Sequence, residues 1–226
     1  MRKIIELFKN YKKNIGLYLL GFFVLGLAVN MIKASNLGSG AWDTVYINLY
    51  ALLNKVMGYT WITMGMLSFA MSFTIMVIVC AYRRKWSYLF MIIPVIGVAL
   101  SIDFWNILIF KDQLAEQLIY QIIFFILGIF VLPFGLSLIV KSGFTAYVFD
   151  ELMLMFVKIT KAKKITYVRL VIEFVGITIG LIFGYFAHYI YDGTFGSVNL
   201  GSLILTFTIS PIMAVYFKVL KINHNK

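Results

Sequence analysis

Cysteine, acidic residues and charge in general are scarce in this chain. Its single cysteine, Cys80, excludes an intramolecular disulfide bond. Only nine residues are acidic, against twenty Lys and Arg, and charged residues together make up 13% of the sequence. Soluble globular domains carry about 25% charged residues. This shortage of charge therefore excludes an ordinary soluble protein.

Patterns that carry catalysis are missing as well. The His, Cys, Asp and Glu residues do not cluster at metal-ligand spacing. No nucleophile motif occurs, and no glycine-rich phosphate loop follows a strand. We therefore expect no enzymatic activity, no cofactor and no bound metal.

Long apolar blocks are what the chain has instead. Hydrophobic residues make up 62% of it, in blocks close to the ~20 residues that cross a bilayer core as a helix. The sequence predicts an all-α membrane protein with a single polytopic domain over residues 1–226. The six predicted transmembrane helices span roughly Ile15–Ile32, Trp61–Tyr82, Tyr88–Phe110, Leu118–Val140, Tyr167–Tyr191 and Leu200–Val219.

Basic residues favour one side of the predicted membrane domain. With a cytoplasmic N-terminus and six crossings, only Lys33, Lys55 and Lys111 face outward, and Arg169 lies within the fifth span. The positive-inside rule then predicts a multi-pass protein of the cytoplasmic membrane with both termini inside. The excess of basic residues, which gives a net charge of +11, then lies beside anionic lipid and orients the protein in the membrane. We therefore expect no nucleic-acid partner. The inner basic residues are Arg2, Lys3, Lys9, Lys12, Lys13, Arg83, Arg84, Lys85, Lys141, Lys158, Lys161, Lys163, Lys164, Lys218, Lys221 and Lys226.

An internal repeat divides the chain into two halves. The run LGFFVL at residues 20–25 returns as LGIFVL at residues 127–132, and the same offset of 107 residues brings Ser35 onto Ser142. Each half, about 15–110 and about 118–219, contains three predicted crossings. An odd number of crossings makes the second half enter from the opposite side, so we predict two inverted-topology three-helix repeats. Such repeats are typical of secondary transporters.

Two shorter apolar segments follow aspartates at equivalent repeat positions. They run from Asp43 to about residue 53 and from Asp150 to about residue 159. Each is about half a bilayer long as a helix. Because Asp is a favoured N-cap, we predict re-entrant half-helices that begin at Asp43 and Asp150 and meet at a midplane cavity. The alternatives are amphipathic helices lying flat at the interface, and aspartates that serve as caps alone.

Four further residues are candidates for substrate or ion binding with the two aspartates. Trp42 precedes Asp43, as Phe149 precedes Asp150 in the repeat. Arg169 and Glu173 are one turn apart on the fifth span, where they form either a structural ion pair or a gating or proton-linked group. Asp103, near the outer end of the third span, is either a binding residue or an interfacial one.

Several of these positions resemble one known family. Leu37-Gly38 followed by Ala41-Trp42-Asp43, Ile102-Asp103 after the third span, and Arg169 with Glu173 are similar to the YczE/YyaS/YitT group of bacterial integral membrane proteins. The resemblance covers most of the chain. It implies a bacterial cytoplasmic-membrane protein, usually described as uncharacterised or as a permease, and it supplies no substrate.

Three functions are consistent with these patterns. The first is a small secondary transporter or permease for an unknown small molecule or ion, with a midplane cavity between the repeats. The second is a non-transporting accessory protein of a membrane complex, and the third is the substrate-binding subunit of an energy-coupled importer. The lipid bilayer is the expected environment, and a homo-oligomer or a partner membrane protein is left open.

Overall fold

A computed structural model describes residues 2–145, 147–162 and 165–222. All secondary structure in these ranges is helical. Six helices are long and apolar enough to cross a membrane, and each coincides with one predicted block, so that prediction is confirmed. They span Lys12–Ser35, Met64–Arg83, Trp86–Phe110, Leu118–Ser142, Ile165–Asp192 and Leu200–Val219.

The helices are numbered in chain order. Several long ones continue into a 3₁₀ or π-helical turn, as membrane helices do where neighbouring groups satisfy the freed backbone. The elements are α1 (Arg2–Ser35), α2 (Ala41–Ala51) with a π turn (Leu52–Val56), α3 (Met64–Arg83), a 3₁₀ turn (Trp86–Met91) leading into α4 (Ile92–Asp103) with a π turn (Phe104–Phe110), α5 (Leu118–Ser142), α6 (Val148–Thr160), α7 (Ile165–Gly184) with a π turn (Tyr185–Tyr189), α8 (Ile190–Asp192) and α9 (Leu200–Val219).

Helices α1 and α5 form the centre of the fold and pack against each other in opposite directions. Gly21 of α1 faces Ile139 of α5, and Gly128 of α5 faces Ile32 of α1, with no room for a Cβ atom at either glycine. Both isoleucines are buried. The two contacts exchange residues that are 107 positions apart, which is the offset of the sequence repeat.

The outer surface of the long helices is apolar. Large side chains such as Leu19, Val77, Leu108 and Phe207 are exposed on it. Contiguous apolar surface on this scale is unfavourable in water and is expected where lipid surrounds the helices.

The same local turn follows both central helices. In each turn a serine hydroxyl donates to a carbonyl three residues earlier and accepts from an amide two residues later. These bonds are Ser35 Oγ to Ile32 O (2.6 Å) with Leu37 N to Ser35 Oγ (3.2 Å), and Ser142 Oγ to Ile139 O (2.6 Å) with Phe144 N to Ser142 Oγ (3.3 Å). The short helices then begin at Ala41 and Val148, also 107 residues apart.

Each short helix packs on a long helix from the other half of the chain. Helix α2 runs in the same direction as α7, against a row of glycines that allows the backbones to approach closely. The facing pairs are Gly176 with Ala41, Gly180 with Thr44 and Gly184 with Asn48. Helix α6 runs in the same direction as α3. The segment that begins it places Tyr147 beside Ser72, and further along Glu151 lies beside Arg83.

The short helices lead from one region in the middle of the fold towards opposite ends. Tyr50 near the end of α2 donates to Asp112, which also pairs with Lys33. We call this end of the bundle the Lys33 end. Helix α6 instead leads towards the end of α3, which we call the Arg84 end after the residue that terminates α3.

The predicted starts of the short helices were wrong by two residues. Gly40 and Tyr147 are the N-caps, and neither helix has a side-chain cap hydrogen bond. Asp43 and Asp150 are instead the third residues of their helices. A carboxylate in the first turn is stabilised by the positive end of the helix dipole without capping it. The aspartates therefore lie at the start of each short helix, but within its first turn and not as its N-cap.

Candidate functional site

A cavity of about 130 Å³ lies between the first turns of α2 and α6. Its wall contains five of the six residues predicted as candidates, which are Asp43, Asp150, Trp42, Arg169 and Glu173. Aromatic side chains and the start of α2 also line it, namely Tyr46, Tyr147, Phe149, Gly40 and Ala41. Apolar side chains of α1, α4, α5 and α9 complete the wall, namely Leu25, Val29, Val98, Ile102, Leu132, Leu136 and Ile209. The polar groups thus converge from α2, α6 and α7 onto an otherwise apolar space.

Asp43 is held by a residue of its own helix. Its Oδ1 accepts a hydrogen bond from the hydroxyl of Tyr46, at 2.8 Å. Its other oxygen, Oδ2, lies so close to Gly40 that a Cβ there would come within 2.5 Å. The glycine therefore leaves the space that this carboxylate occupies.

Asp150 occupies the equivalent position of α6 but has no equivalent partner. Within the described ranges no group donates a hydrogen bond to its carboxylate. The repeat offset of 107 brings Tyr46 onto Met153, and a thioether cannot donate a proton. The two carboxylates therefore occupy equivalent places with different hydrogen bonding.

Helix α7 adds an ion pair to the wall. Arg169 Nε donates to Glu173 Oε1 at 2.8 Å across one helical turn, which confirms the predicted pairing. Glu173 interacts electrostatically with Asp43, and Arg169 with Asp150. When ionised, three carboxylates face one guanidinium, which gives the cavity a negative balance and favours a cation.

Aromatic rings from both short helices close one side of the cavity. The Trp42 and Phe149 rings, which are repeat equivalents, lie with centroids 5.1 Å apart. Tyr147 lies beside Phe149 at 5.5 Å and places its hydroxyl 3.2 Å from Ser72 Oγ. Aromatic faces together with carboxylates form an environment that attracts cations.

Asp103 lies outside this cavity. Its carboxylate accepts from Thr63 Oγ1 and from the Gly65 amide, both at 2.6 Å. Thr63 in turn caps α3 by accepting from Met66 N at 3.1 Å. Asp103 therefore fastens α4 to the first turn of α3, and its contacts are structural rather than part of the cavity.

Sequence reasoning missed two tyrosines of the site, and also one asparagine on the same helix as Asp43. Tyr46 follows Asp43 by three residues, and this helical spacing was a usable signal. Tyr147 lies just before α6, and its spacing from the aspartates gave no sign that it lines the cavity. Asn48 donates to Gly180 O (2.9 Å) and Phe195 O (3.1 Å) and accepts from Ser197 N (2.9 Å). It fixes α2 to the chain between α8 and α9, contacts that a single sequence does not reveal.

Among the residues that the structure describes, no three His, Cys, Asp or Glu side chains converge closely enough to hold a metal ion. The cavity has instead paired carboxylates, an ion pair and aromatic rings. Such a set can bind a proton or a small cation through charge and ring faces.

The six apolar helices, with lipid-type surfaces and ionisable groups facing inward, define a multi-pass helical membrane protein. The chain belongs to the family described as a family of unknown function (DUF6198), whose model matches residues 12–218. That family does not carry the YczE/YyaS/YitT name, so the resemblance noted above stays a prediction. No curated protein and no solved structure matches the chain.

Proposed function

We propose that this protein is a small secondary transporter or permease for a small cation or a proton-coupled solute. The observation that carries the proposal is the meeting of Asp43 and Asp150, 107 residues apart in sequence, at one cavity beside Arg169 and Glu173. Burying carboxylates at membrane depth is unfavourable without a compensating role. Ligand binding provides such a role.

Reciprocal contacts support an inverted repeat as the transport scaffold. The exchange of Gly21 and Ile139 with Gly128 and Ile32 is what two halves related by an in-plane two-fold axis require. The short helices would then be re-entrant, entering from opposite faces with their first turns at the cavity. The positive ends of their dipoles stabilise the two aspartates there.

The proposed orientation places the Arg84 end in the cytoplasm and the Lys33 end outside the cytoplasmic membrane. Its support is the uneven distribution of basic residues along the sequence, which follows the positive-inside rule. Both termini are then cytoplasmic, and each half of the chain crosses three times.

The size of the cavity limits the substrate. A volume of about 130 Å³ corresponds to only a few water molecules at ~30 Å³ each. An inorganic cation that has lost most of its hydration shell, an ammonium group or a proton carried with water fits this space. A drug-sized ligand does not, because such ligands occupy pockets of about 300 Å³ or more.

The first test is ligand-dependent thermal stabilisation of the purified protein across a panel of small cations and pH values. A ligand that binds only the folded state raises the melting temperature. The stabilising cation is then followed in proteoliposomes. We expect Asp43→Asn and Asp150→Asn to leave folding nearly intact and to reduce binding or flux at least tenfold, about 1.4 kcal/mol.

The matched control is Glu116→Gln, which removes one carboxylate from an exposed position outside the cavity. Its flux should equal that of the wild type. Unchanged flux in both aspartate variants refutes the transport role of the cavity. Binding without flux instead favours the substrate-binding subunit, and neither binding nor flux favours the accessory protein.

A further inference from the structure

A second cavity, of about 630 Å³, lies at the Arg84 end between α3, the turn after it, and α6. Its polar lining consists of four cationic and two phenolic side chains, namely Arg83, Arg84, Lys85, Lys158, Tyr82 and Tyr88. We call it the basic cavity. It shares no lining residue with the acidic cavity of Asp43 and Asp150.

Arg83 is fixed in this wall and is incompletely satisfied. Its Nη2 donates to Glu151 at 3.3 Å, and its guanidinium lies 5.4 Å from the centroid of the Tyr88 ring. Among the described residues, no group accepts a hydrogen bond from its Nε, which is fully buried and therefore closed to a ligand. The side chain as a whole is 18% exposed and lines the basic cavity, so its fixed positive charge is available to an anion there.

The other three cations of the basic cavity have no counter-charge. Glu151 is already paired with Arg83, and in the described part of the chain no acidic group pairs with Arg84, Lys85 or Lys158. Like charges that share one concave wall repel each other. All three side chains are exposed, so water screens part of this repulsion, and a bound anion relieves the rest.

We propose that the basic cavity binds a phosphate group, carried either by an anionic phospholipid headgroup or by a soluble phosphate ester. Arg donates in a fixed fork that matches phosphate oxygens, and Lys adds point charges. The tyrosine hydroxyls add neutral donors. The volume accommodates a glycerol phosphate, and the position at a helix end beside lipid suits a headgroup.

A phosphate here would link the short helix α6 to α3. Lys158 belongs to α6, and the other cations lie at the end of α3 and in the turn after it. Lys158 is eight residues beyond Asp150, roughly 12 Å at 1.5 Å per residue. Occupancy therefore fixes the helix that carries one carboxylate of the acidic cavity. The inference does not depend on transport, because it rests on a separate cavity.

The test compares two charge-matched triple variants in nanodiscs. The first is Arg84→Gln, Lys85→Gln and Lys158→Gln, which keeps Arg83 for its contact with Glu151. The control is Lys141→Gln, Lys218→Gln and Lys221→Gln, three exposed cations outside the cavity at the ends of α5 and α9. Native mass spectrometry measures retained phosphatidylglycerol against phosphatidylcholine, and calorimetry measures free glycerol phosphate.

We expect the cavity variant to lower affinity for phosphatidylglycerol or glycerol phosphate at least about tenfold, and the control to change it less than about twofold. Loss in the lipid measurement identifies a headgroup site, and loss in the soluble measurement identifies a phosphate-ester site. Equal losses in both variants, or affinity that neither variant changes, overturn the proposal, because either result leaves only diffuse charge. A melting temperature in phosphatidylcholine confirms that both variants are folded.

Discussion

The packing of α2 against α7 predicts a measurable steric effect at Gly180. A Cβ atom added there would lie 2.9 Å from Thr44 Cβ and closer still to Thr44 Oγ1. Thr44 cannot move outward easily, because it is fully buried and its hydroxyl donates to Ala41 O at 2.6 Å. The change Gly180→Ala should therefore push α2 away from α7.

The magnitude follows from two opposing effects. Overpacking costs about 1–3 kcal/mol, whereas replacing a helical Gly by Ala gains about 1 kcal/mol of helix propensity. Gly16→Ala in α1 isolates the second effect, because nothing lies within 4 Å of its added Cβ. The free energies of unfolding of the two variants should thus differ by about 1–3 kcal/mol, with Gly180→Ala the less stable.

The assay is reversible denaturation of the purified protein in mixed micelles, with thermal melting as a second measurement. Adding Thr44→Ala to Gly180→Ala removes Oγ1 and the methyl group and should recover part of the loss, which a double-mutant cycle quantifies. Equal stability of Gly180→Ala and Gly16→Ala would refute the close approach of α2 to α7.

Three further predictions concern caps, the carboxylate partner and topology. Asp103→Ala removes the acceptor of two hydrogen bonds at the start of α3, so it should lower the free energy of unfolding by about 1–3 kcal/mol in denaturation. The cation affinity of the acidic cavity should not change. A loss of affinity at unchanged stability would contradict this structural role. Tyr46→Phe removes the hydroxyl that donates to Asp43, so cation binding measured by calorimetry should change. Met153→Leu, at the equivalent position of the repeat, should leave cation binding unchanged. Equal effects of the two variants would contradict the difference in hydrogen bonding between Asp43 and Asp150. Single cysteines placed at Lys111 and at Arg84 in a cysteine-free background should react with impermeant thiol reagents from the outside and the inside respectively, and labelling of both from one side would contradict the proposed orientation.

The positions of the long helices were predictable because lipid imposes a simple rule. A helix must cover about 30 Å with apolar residues, so composition alone locates the blocks to within a few residues. The repeat offset further anticipated that both short helices start at equivalent positions. The helix starts at Ala41 and Val148 were missed, because Asp is favourable both as a cap and in the first turn.

The acidic cavity was predictable in its charges but not in its full wall. Asp43 and Asp150 were linked by the repeat, and Arg169 was linked to Glu173 by helical spacing. Asp103 looked similar by depth alone, yet its distance from the cavity depends on tertiary contacts with Thr63 and Gly65. The basic cavity was not predictable, because Lys158 joins it from a distant part of the chain and the other cations suggested only orientation.

The two aspartates at the cavity are equivalent in the sequence offset but unequal in their hydrogen bonds. Asp43 accepts from the Tyr46 hydroxyl, whereas no group in the described part of the chain donates to the Asp150 carboxylate. The same offset places the Met153 thioether where the first half of the chain has the Tyr46 hydroxyl, and a thioether cannot donate a hydrogen bond. A cation bound as proposed would meet one acid that accepts a hydrogen bond and lies near Glu173, and another that lies near the Arg169 guanidinium. The two halves of the chain would therefore contribute unequally to holding it.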